Sequence, residues 1–388
     1  MDQKNGQSMK FVISSTALYK QLGAISGVIM SNPVVPILES FLFVIENGKL
    51  TITASDLQAT MTTTMEINTQ GNARITLPAR ILLDTLRNLP EQPITFSIAE
   101  DTYGVTIGSN NGSYRLAGEN AADFPQLTTI QQGISVTMEG KILKRAISQT
   151  MMATSKDELR PAMSGVYINF SKENTTFVAT DGHRLVRYVR SDLSAATQQS
   201  IIIPKKVLTL LNGLLTHAAS VQVHFDRNYV HFSIDKVQVI ARLINERYPD
   251  YENVIPTNNT NQLNISRAGL LSSLKRIAIY ANRTTHQVRM TLSEKGLDLF
   301  AEDFDFSNEA HEHLESTYQG ESMSIGFNAK LLIELLSSTP TDRLTMRFAT
   351  PSKACLIFPQ EEEVAEQLLL LIMPVILKDP AESQPHTV

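Results

Sequence analysis

The chain predicts an α+β protein made of three copies of one domain, each with two helices on antiparallel sheets, and three recurring features lead there. Strand-like runs end in Ala54-Ser55-Asp56-Leu57, Ala179-Thr180-Asp181-Gly182 and Ala301-Glu302-Asp303-Phe304, with the aspartates 125 and 122 residues apart. Helix openings recur at Leu77-Pro78-Ala79-Arg80, Ile203-Pro204-Lys205-Lys206 and Phe327-Asn328-Ala329-Lys330, in steps of 126 and 124. Asp123-Phe124-Pro125 and Tyr248-Pro249-Asp250-Tyr251 close the first two copies. The predicted domains are 9–129, 134–256 and 258–377, with flexible termini at 1–8 and 378–388.

Within each copy the order strand, helix, several strands occurs twice. The first strand opens at Met9-Lys10-Phe11 after a polar start that carries no apolar signal segment. Helices are expected over 16–29, 78–89, 140–153, 204–215, 266–281 and 328–337, where apolar residues recur at helical spacing. Pro at the first helical position, or Asn as a cap, marks three of those starts. Strands are read from alternation and β-branched content, as in Lys49-Leu50-Thr51-Ile52-Thr53 and Val221-Gln222-Val223-His224-Phe225. Asn47-Gly48 and Asn111-Gly112 read as hairpin turns. The last apolar run, 368–377, is broken by Pro374 and is about half of what a bilayer span needs, so it reads as a buried strand with no membrane role.

Composition excludes whole classes. With 42% hydrophobic and 19% charged residues among 388, the chain is globular rather than disordered or fibrous. A lone cysteine, Cys355, excludes an internal disulfide and a Cys-based metal site, and points to a reducing cytoplasm. The net charge of −5 conceals a pattern. Of 34 basic and 39 acidic residues, the predicted helices take 12 and 2, which leaves 22 and 37 elsewhere. Helix propensity alone does not produce this, because Glu favours helices as much as Lys does. Basic helices beneath an acidic remainder suit a protein whose helices face phosphates.

Met9-Lys10-Phe11, Pro36-Ile37-Leu38, Ala179-Thr180-Asp181-Gly182-His183-Arg184-Leu185, Arg247-Tyr248-Pro249-Asp250-Tyr251 and Met373-Pro374 together resemble the bacterial sliding clamp family, the beta subunits of replicative DNA polymerase. The resemblance covers 9–377. It implies three DNA-clamp domains that form a ring as a head-to-tail homodimer around duplex DNA. The ring would tether the replicative DNA polymerase, with the clamp loader and repair proteins as further partners, without cofactor or metal. The resemblance makes Lys20, Arg80, Arg160, Lys205 and Lys206 DNA-facing positions, and the basic residues of the predicted helices add Arg87, Lys141, Lys144, Arg145, Lys275 and Arg276. A partner-peptide pocket carries over to Met163, Thr180, Gly182, His183, Arg184, Leu185, Pro249, Val254, Leu371, Met373, Pro374 and Val375. Tyr114 and Leu116 of one chain would meet Ile279 and Tyr280 of the other. Asn32 and Ile81 depart from the basic residues that relatives often carry there, which implies weaker or redistributed DNA contact.

Asp181 and His183 could form an orienting carboxylate and base of a β-rich hydrolase, but no nucleophile motif accompanies them and Asp-Gly after a strand is ordinary turn chemistry. His311-Glu312-His313 puts two imidazoles on one strand face without a third ligand nearby, and reads as a solvated face. Asp303 and Asp305 read as structural rather than as an ion site. Phosphate-loop, dinucleotide and zinc-protease motifs are missing from the chain. A repeat scaffold unrelated to DNA remains the alternative that the helix charges argue against.

Overall fold

Antiparallel pairing runs throughout the computed structural model, which describes residues 8–377 apart from 70, 100, 127 and 131. Most of the termini expected to be flexible lie outside the described residues. The chain forms two compact units, Met1–Lys144 with Lys206–Leu243, and Arg145–Lys205 with Ile244–Val388. These do not coincide with the three copies. The middle copy is divided, and its two halves join sheets begun by its neighbours in the chain.

In the first unit a five-stranded sheet has the order Asn68–Thr69, Ser8–Ser14, Pro93–Ala99, Gly104–Gly108, Ser113–Ala117. A nine-stranded sheet joins the first copy to the second where strand Ala59–Glu66 pairs with Val237–Arg242, with Ala59 opposite Ala241. In the second unit another nine-stranded sheet is joined the same way, Arg184–Arg190 pairing with Glu366–Ile372 and Arg184 opposite Ile372. Its companion is a four-stranded sheet ordered Asn308–Leu314, Gly296–Asp303, Gln287–Ser293, Met323–Asn328. A single rule underlies both joins: the strand after each repeated aspartate pairs with the last strand of the following copy.

The six helices are α1 (Ser15–Ile25), α2 (Ala79–Arg87), α3 (Gly140–Thr150), α4 (Lys205–Leu214), α5 (Arg267–Ile277) and α6 (Ala329–Ser338). Pro78 and Pro204 end strands, so α2 and α4 start one residue later than the sequence predicts. Asn328 caps α6 as expected, its side chain accepting from Leu331 N–H at 3.2 Å, and Ser14 and Ser266 cap α1 and α5 in the same manner. Each helix buries one stripe: Leu18, Leu22 and Ile25 on α1, Leu82 and Leu86 on α2, Leu332, Leu335 and Leu336 on α6. A leucine buried in this way contributes roughly 1.5–3 kcal/mol. The observed limits leave the helix charges at the predicted 12 basic and 2 acidic.

Asn47 and Gly48 both have positive φ, 52° and 76°, and form the predicted two-residue turn between Ser40–Glu46 and Lys49–Ser55. Asn111-Gly112 lies in a longer loop closed by Ser109 N–H donating to Gly112 C=O at 2.8 Å. Among the described residues no helix is long and apolar enough to cross a membrane.

Candidate functional site

The three repeated aspartates share one local role. Asp56 Oδ1 accepts from the N–H groups of Gln58 and Ala59 at 2.9 and 2.7 Å. Asp181 Oδ1 accepts from those of His183 and Arg184 at 2.9 and 3.0 Å, and Asp303 Oδ1 from that of Asp305 at 3.1 Å. Each side chain therefore closes its own turn, which is the reason the residue recurs. Asp181 is committed to this turn and to Arg184 Nε at 3.1 Å, while His183 projects from the exposed turn. That arrangement does not orient an imidazole as a base.

The expected pocket residues all lie in the second unit. Leu185 and Leu371 face each other across the strand pair and join Val178, Tyr248, Leu356 and Leu369 in one buried cluster. Tyr167 and Tyr251 pack on this cluster, and Tyr167 stacks on Tyr248 with centroids 4.8 Å apart. Met163 and Thr180 are buried beside it, whereas Val254 and Met373 are 52% and 40% exposed. The loop Thr180–Arg184 and the chain end are tied together by Met373 N–H donating to His183 C=O at 2.8 Å. Gly182 has φ +89°, and a Cβ there would stand 3.1 Å from Arg160 Nη1, so both backbone and space favour glycine. Arg184 is anchored on three sides, by Asp181, by Met152 C=O at 2.6 Å and by Glu334 of α6 at 2.8 Å. Beyond Met373, Val375 N–H donates to Gly326 C=O at 2.9 Å. Val375 and Ile376 border a cavity of about 810 Å³ that Arg289, Phe300 and Phe304 also line. An apolar floor with exposed sulfur and aliphatic groups at its rim is suited to a short peptide with large apolar anchors.

The basic helix residues fall into two groups. Lys20, Arg80 and Lys275 are exposed and form no ion pair among the described residues. Lys144 donates to Thr216 Oγ1 at 3.2 Å. Arg87 pairs with Asp84 at 3.4 Å, Lys141 with Glu139 at 2.8 Å and Arg160 with Asp157 at 2.8 Å, all at exposed positions where such pairs hold a cation only weakly. Lys206 pairs with Asp56, which links the second copy to the first. Lys205 is half-buried, and burial, then Lys156 and Arg184, pull its pKa below the ordinary lysine value. Arg276 is held by Glu312 at 2.6 Å.

Arg145 has a different place from the one expected of it. Its guanidinium contacts Glu366 at 2.8 Å and Glu363 at 3.2 Å. The buried Glu366 carboxylate also takes Arg190 Nη1 at 3.3 Å and the Tyr188 hydroxyl at 3.1 Å. The Arg145 charge is thus neutralised inside the unit. Nothing near residue 145 in the sequence signals this, because the partner lies 221 residues away.

Two of the strands that end sheets lie in the first and third copies. Ser113–Ala117, with Tyr114 38% exposed and Leu116 buried, ends the five-stranded sheet. Asn308–Leu314 ends the four-stranded sheet, packed beside α5, and just past α5 Ile279 and Tyr280 are 76% and 42% exposed.

Comparisons with known proteins cover the same span. Family profiles for the DNA polymerase III beta subunit match as its N-terminal domain at 9–128, its central domain at 137–250 and its C-terminal domain at 252–375. The beta sliding clamp of Haemophilus influenzae is 28% identical over 365 residues, covering 93% of this chain and 99% of that one. The beta sliding clamp of Escherichia coli K12 is 27% identical over 371 residues, 95% and 100%. Among solved structures, a sliding clamp from Bartonella birtlesii bound to griselimycin aligns at TM-score 0.89 with 27% identity, covering 96% of this chain and all of that one. The beta subunit from Thermotoga maritima aligns at 0.87 with 25% identity, covering 95% and 100%.

Proposed function

The chain belongs to the DNA polymerase III beta subunit family, and on that premise we propose that two copies close head to tail into a ring that holds the polymerase on duplex DNA. It is a DNA sliding clamp, a processivity factor and not an enzyme. The hydrolase and scaffold alternatives find no support, the first because the Asp181 carboxylate is committed to its turn and to Arg184.

The observation that carries the ring is the pairing rule between copies. Strand Ala59–Glu66 of the first copy pairs with the last strand of the second, and Arg184–Arg190 of the second with the last strand of the third. Asn308–Leu314 is the corresponding strand of the third copy and ends its sheet, as does Ser113–Ala117, the strand of the first copy that corresponds to Val237–Arg242. A second copy supplies the missing pairing, with Asn308–Leu314 of one chain against Ser113–Ala117 of the next. Transferring the Thr60–Ile240 register by the steps of the helix openings, 250 and 126 residues, sets Ala310 opposite Tyr114. Two such joins close a ring of six domains, which fits the rule that most oligomers close by symmetry.

Within that ring the exposed cations Lys20, Arg80, Lys141 and Lys275 and the half-buried Lys144 face the DNA, with Arg87, Arg160, Lys205, Lys206 and Arg276 beside them. Contacts to phosphates carry no sequence information, so the ring slides, while closure prevents sideways escape. The apolar site of the second unit receives peptide segments of the polymerase, the clamp loader and repair proteins in competition. Topological retention tests the reading. The protein is loaded onto a nicked circular plasmid with the cognate loader and ATP, half the sample is linearised, and both halves are gel-filtered in moderate salt. Retention on circles with loss from linear DNA is expected; equal loss from both would overturn the ring.

A further inference from the structure

The three copies differ in what covers one equivalent spot on a sheet face. Leu42, Tyr167 and Arg289 hold the same strand position, paired on one side with Thr53, Val178 and Phe300. On the other side they pair with Thr76, Ile202 and Gly326. In each copy the chain leaving the last strand crosses this third residue: Glu119 lies opposite Thr76, Ile244 N–H donates to Ile202 C=O at 3.0 Å, and Val375 N–H to Gly326 C=O at 2.9 Å. Four or five residues later the first two copies cover the spot with an aromatic ring followed by proline. Phe124 of Phe124-Pro125 joins one cluster with Leu42, and Tyr248 of Tyr248-Pro249 stacks on Tyr167 with centroids 4.8 Å apart. At the corresponding spot of the third copy lies the cavity of about 810 Å³ lined by Arg289, Phe300, Val375 and Ile376.

We propose that this cavity is the seat of the chain's own tail, with Asp379-Pro380 in the place of Phe124-Pro125 and Tyr248-Pro249 and the Asp379 carboxylate on the Arg289 guanidinium. Counting from the crossing residue gives the register. Tyr248 is four residues past Ile244 and Asp379 four past Val375, with proline next in both. The chemistry of the spot differs in step with its cover: the second copy stacks tyrosine on tyrosine, and the third sets a cation against an acid. Arg289 lies 5.7 Å from the centroid of the Phe300 ring, and its buried Nε has no hydrogen-bond partner among the described residues. A guanidinium held in this way on an aromatic face favours a carboxylate, whose two oxygens match its fork. Glu302 and Asp305 line the same cavity and suit Lys378, which stands where the second copy has Arg247. The tail also has the reach. Leu377 lies against Gly326, where a Cβ would come within 2.7 Å of Leu377 Cδ2, so glycine lets the chain approach the sheet. Gly326 pairs with Arg289 on the next strand, about 4.8 Å away, while two extended residues span about 6.6 Å. The seat lies within the third copy and depends neither on ring closure nor on peptide binding.

The chain has no tryptophan, so one placed in the tail reports alone. Glu382 lies seven residues past Val375 as Tyr251 lies past Ile244, and the Tyr251 ring is 6.3 Å from that of Tyr167. E382W in the full chain is therefore compared with V388W by acrylamide quenching of its fluorescence, at several protein concentrations. Because a packed indole exposes little of its surface, the quenching constant of E382W should be lower by about twofold or more, at every concentration. E382W/D379N and E382W/R289Q should quench as readily as V388W. The first of these changes nothing in any strand or helix, so its effect does not come from lost folding. Equal quenching of E382W and V388W would overturn the seat and leave the cavity to a partner's peptide. Protection that survives both D379N and R289Q would overturn the ion pair at its centre. Protection that grows with protein concentration would overturn the intramolecular seat in favour of the tail of a second copy.

Discussion

Glu366 shows how much a single buried carboxylate organises. Its side chain is 2% exposed and is shared by Arg145, Arg190 and Tyr188, joining the first residue of the last strand to the middle copy. Replacing it with Gln leaves two guanidinium groups without their shared anion, so E366Q should lower stability by about 3–5 kcal/mol in denaturant unfolding. The same cluster predicts alkaline sensitivity. Burial, and then the Glu366 charge, push Tyr188 up to about 12. An unfolded tyrosine ionises near pH 10, so between about pH 10 and 12 the unfolded chain holds fewer protons and stability falls, by at most about 1.4 kcal/mol per pH unit for this group. Y188F should flatten that part of the pH–stability curve, and an unchanged slope would assign the loss to other groups. In the peptide site the structure separates two residues that the sequence groups together. Leu371 is 2% exposed and Met373 40% exposed. L371A should therefore cost about 2–5 kcal/mol of stability. M373A should leave the melting temperature alone and weaken a Leu- and Phe-bearing peptide by about 2 kcal/mol, as fluorescence anisotropy would report.

At the scale of elements, helix character was readable because a buried stripe and its caps are encoded within about a dozen residues. Leu82 and Leu86, or Leu332 and Leu336, state their face through spacing alone. The charges on the opposite face were equally readable, but their availability was not. Lys20 and Arg80 form no ion pair among the described residues, while Arg145 on α3 turns to Glu366. Charge position follows from helical period, whereas charge pairing depends on which strand packs alongside. Each phosphate contact contributes about 0.9 to the slope of log affinity against log salt. Replacing Lys20 and Arg80 by Ala should accordingly reduce the salt slope of duplex binding by about 3.6 for the two-chain ring, and R145A should leave it unchanged while lowering stability. Equal slopes for all three proteins would place the DNA contact elsewhere.

For the whole molecule, the pairing rule makes a prediction about assembly. If Asn308–Leu314 meets Ser113–Ala117 of a second copy, a charge at the 76%-exposed Ile279 disrupts the join without touching either core. I279D should elute as a folded monomer in gel filtration and lose retention on circular DNA. A variant that remains dimeric would remove Ile279 from the interface. The sequence by itself determined three copies, six helices, the sorting of basic charge onto them and the resemblance to sliding clamps, because repeats, periodicity and capping are local signals that survive without contacts. Only the tertiary structure decided that the sheets run across the boundaries between copies, that Arg145 belongs to Glu366, and that Asp298 lies within hydrogen-bond reach of His313. Those facts rest on strand partners brought together from far along the chain or around a hairpin, chosen by packing and edge complementarity, which no local window of sequence records.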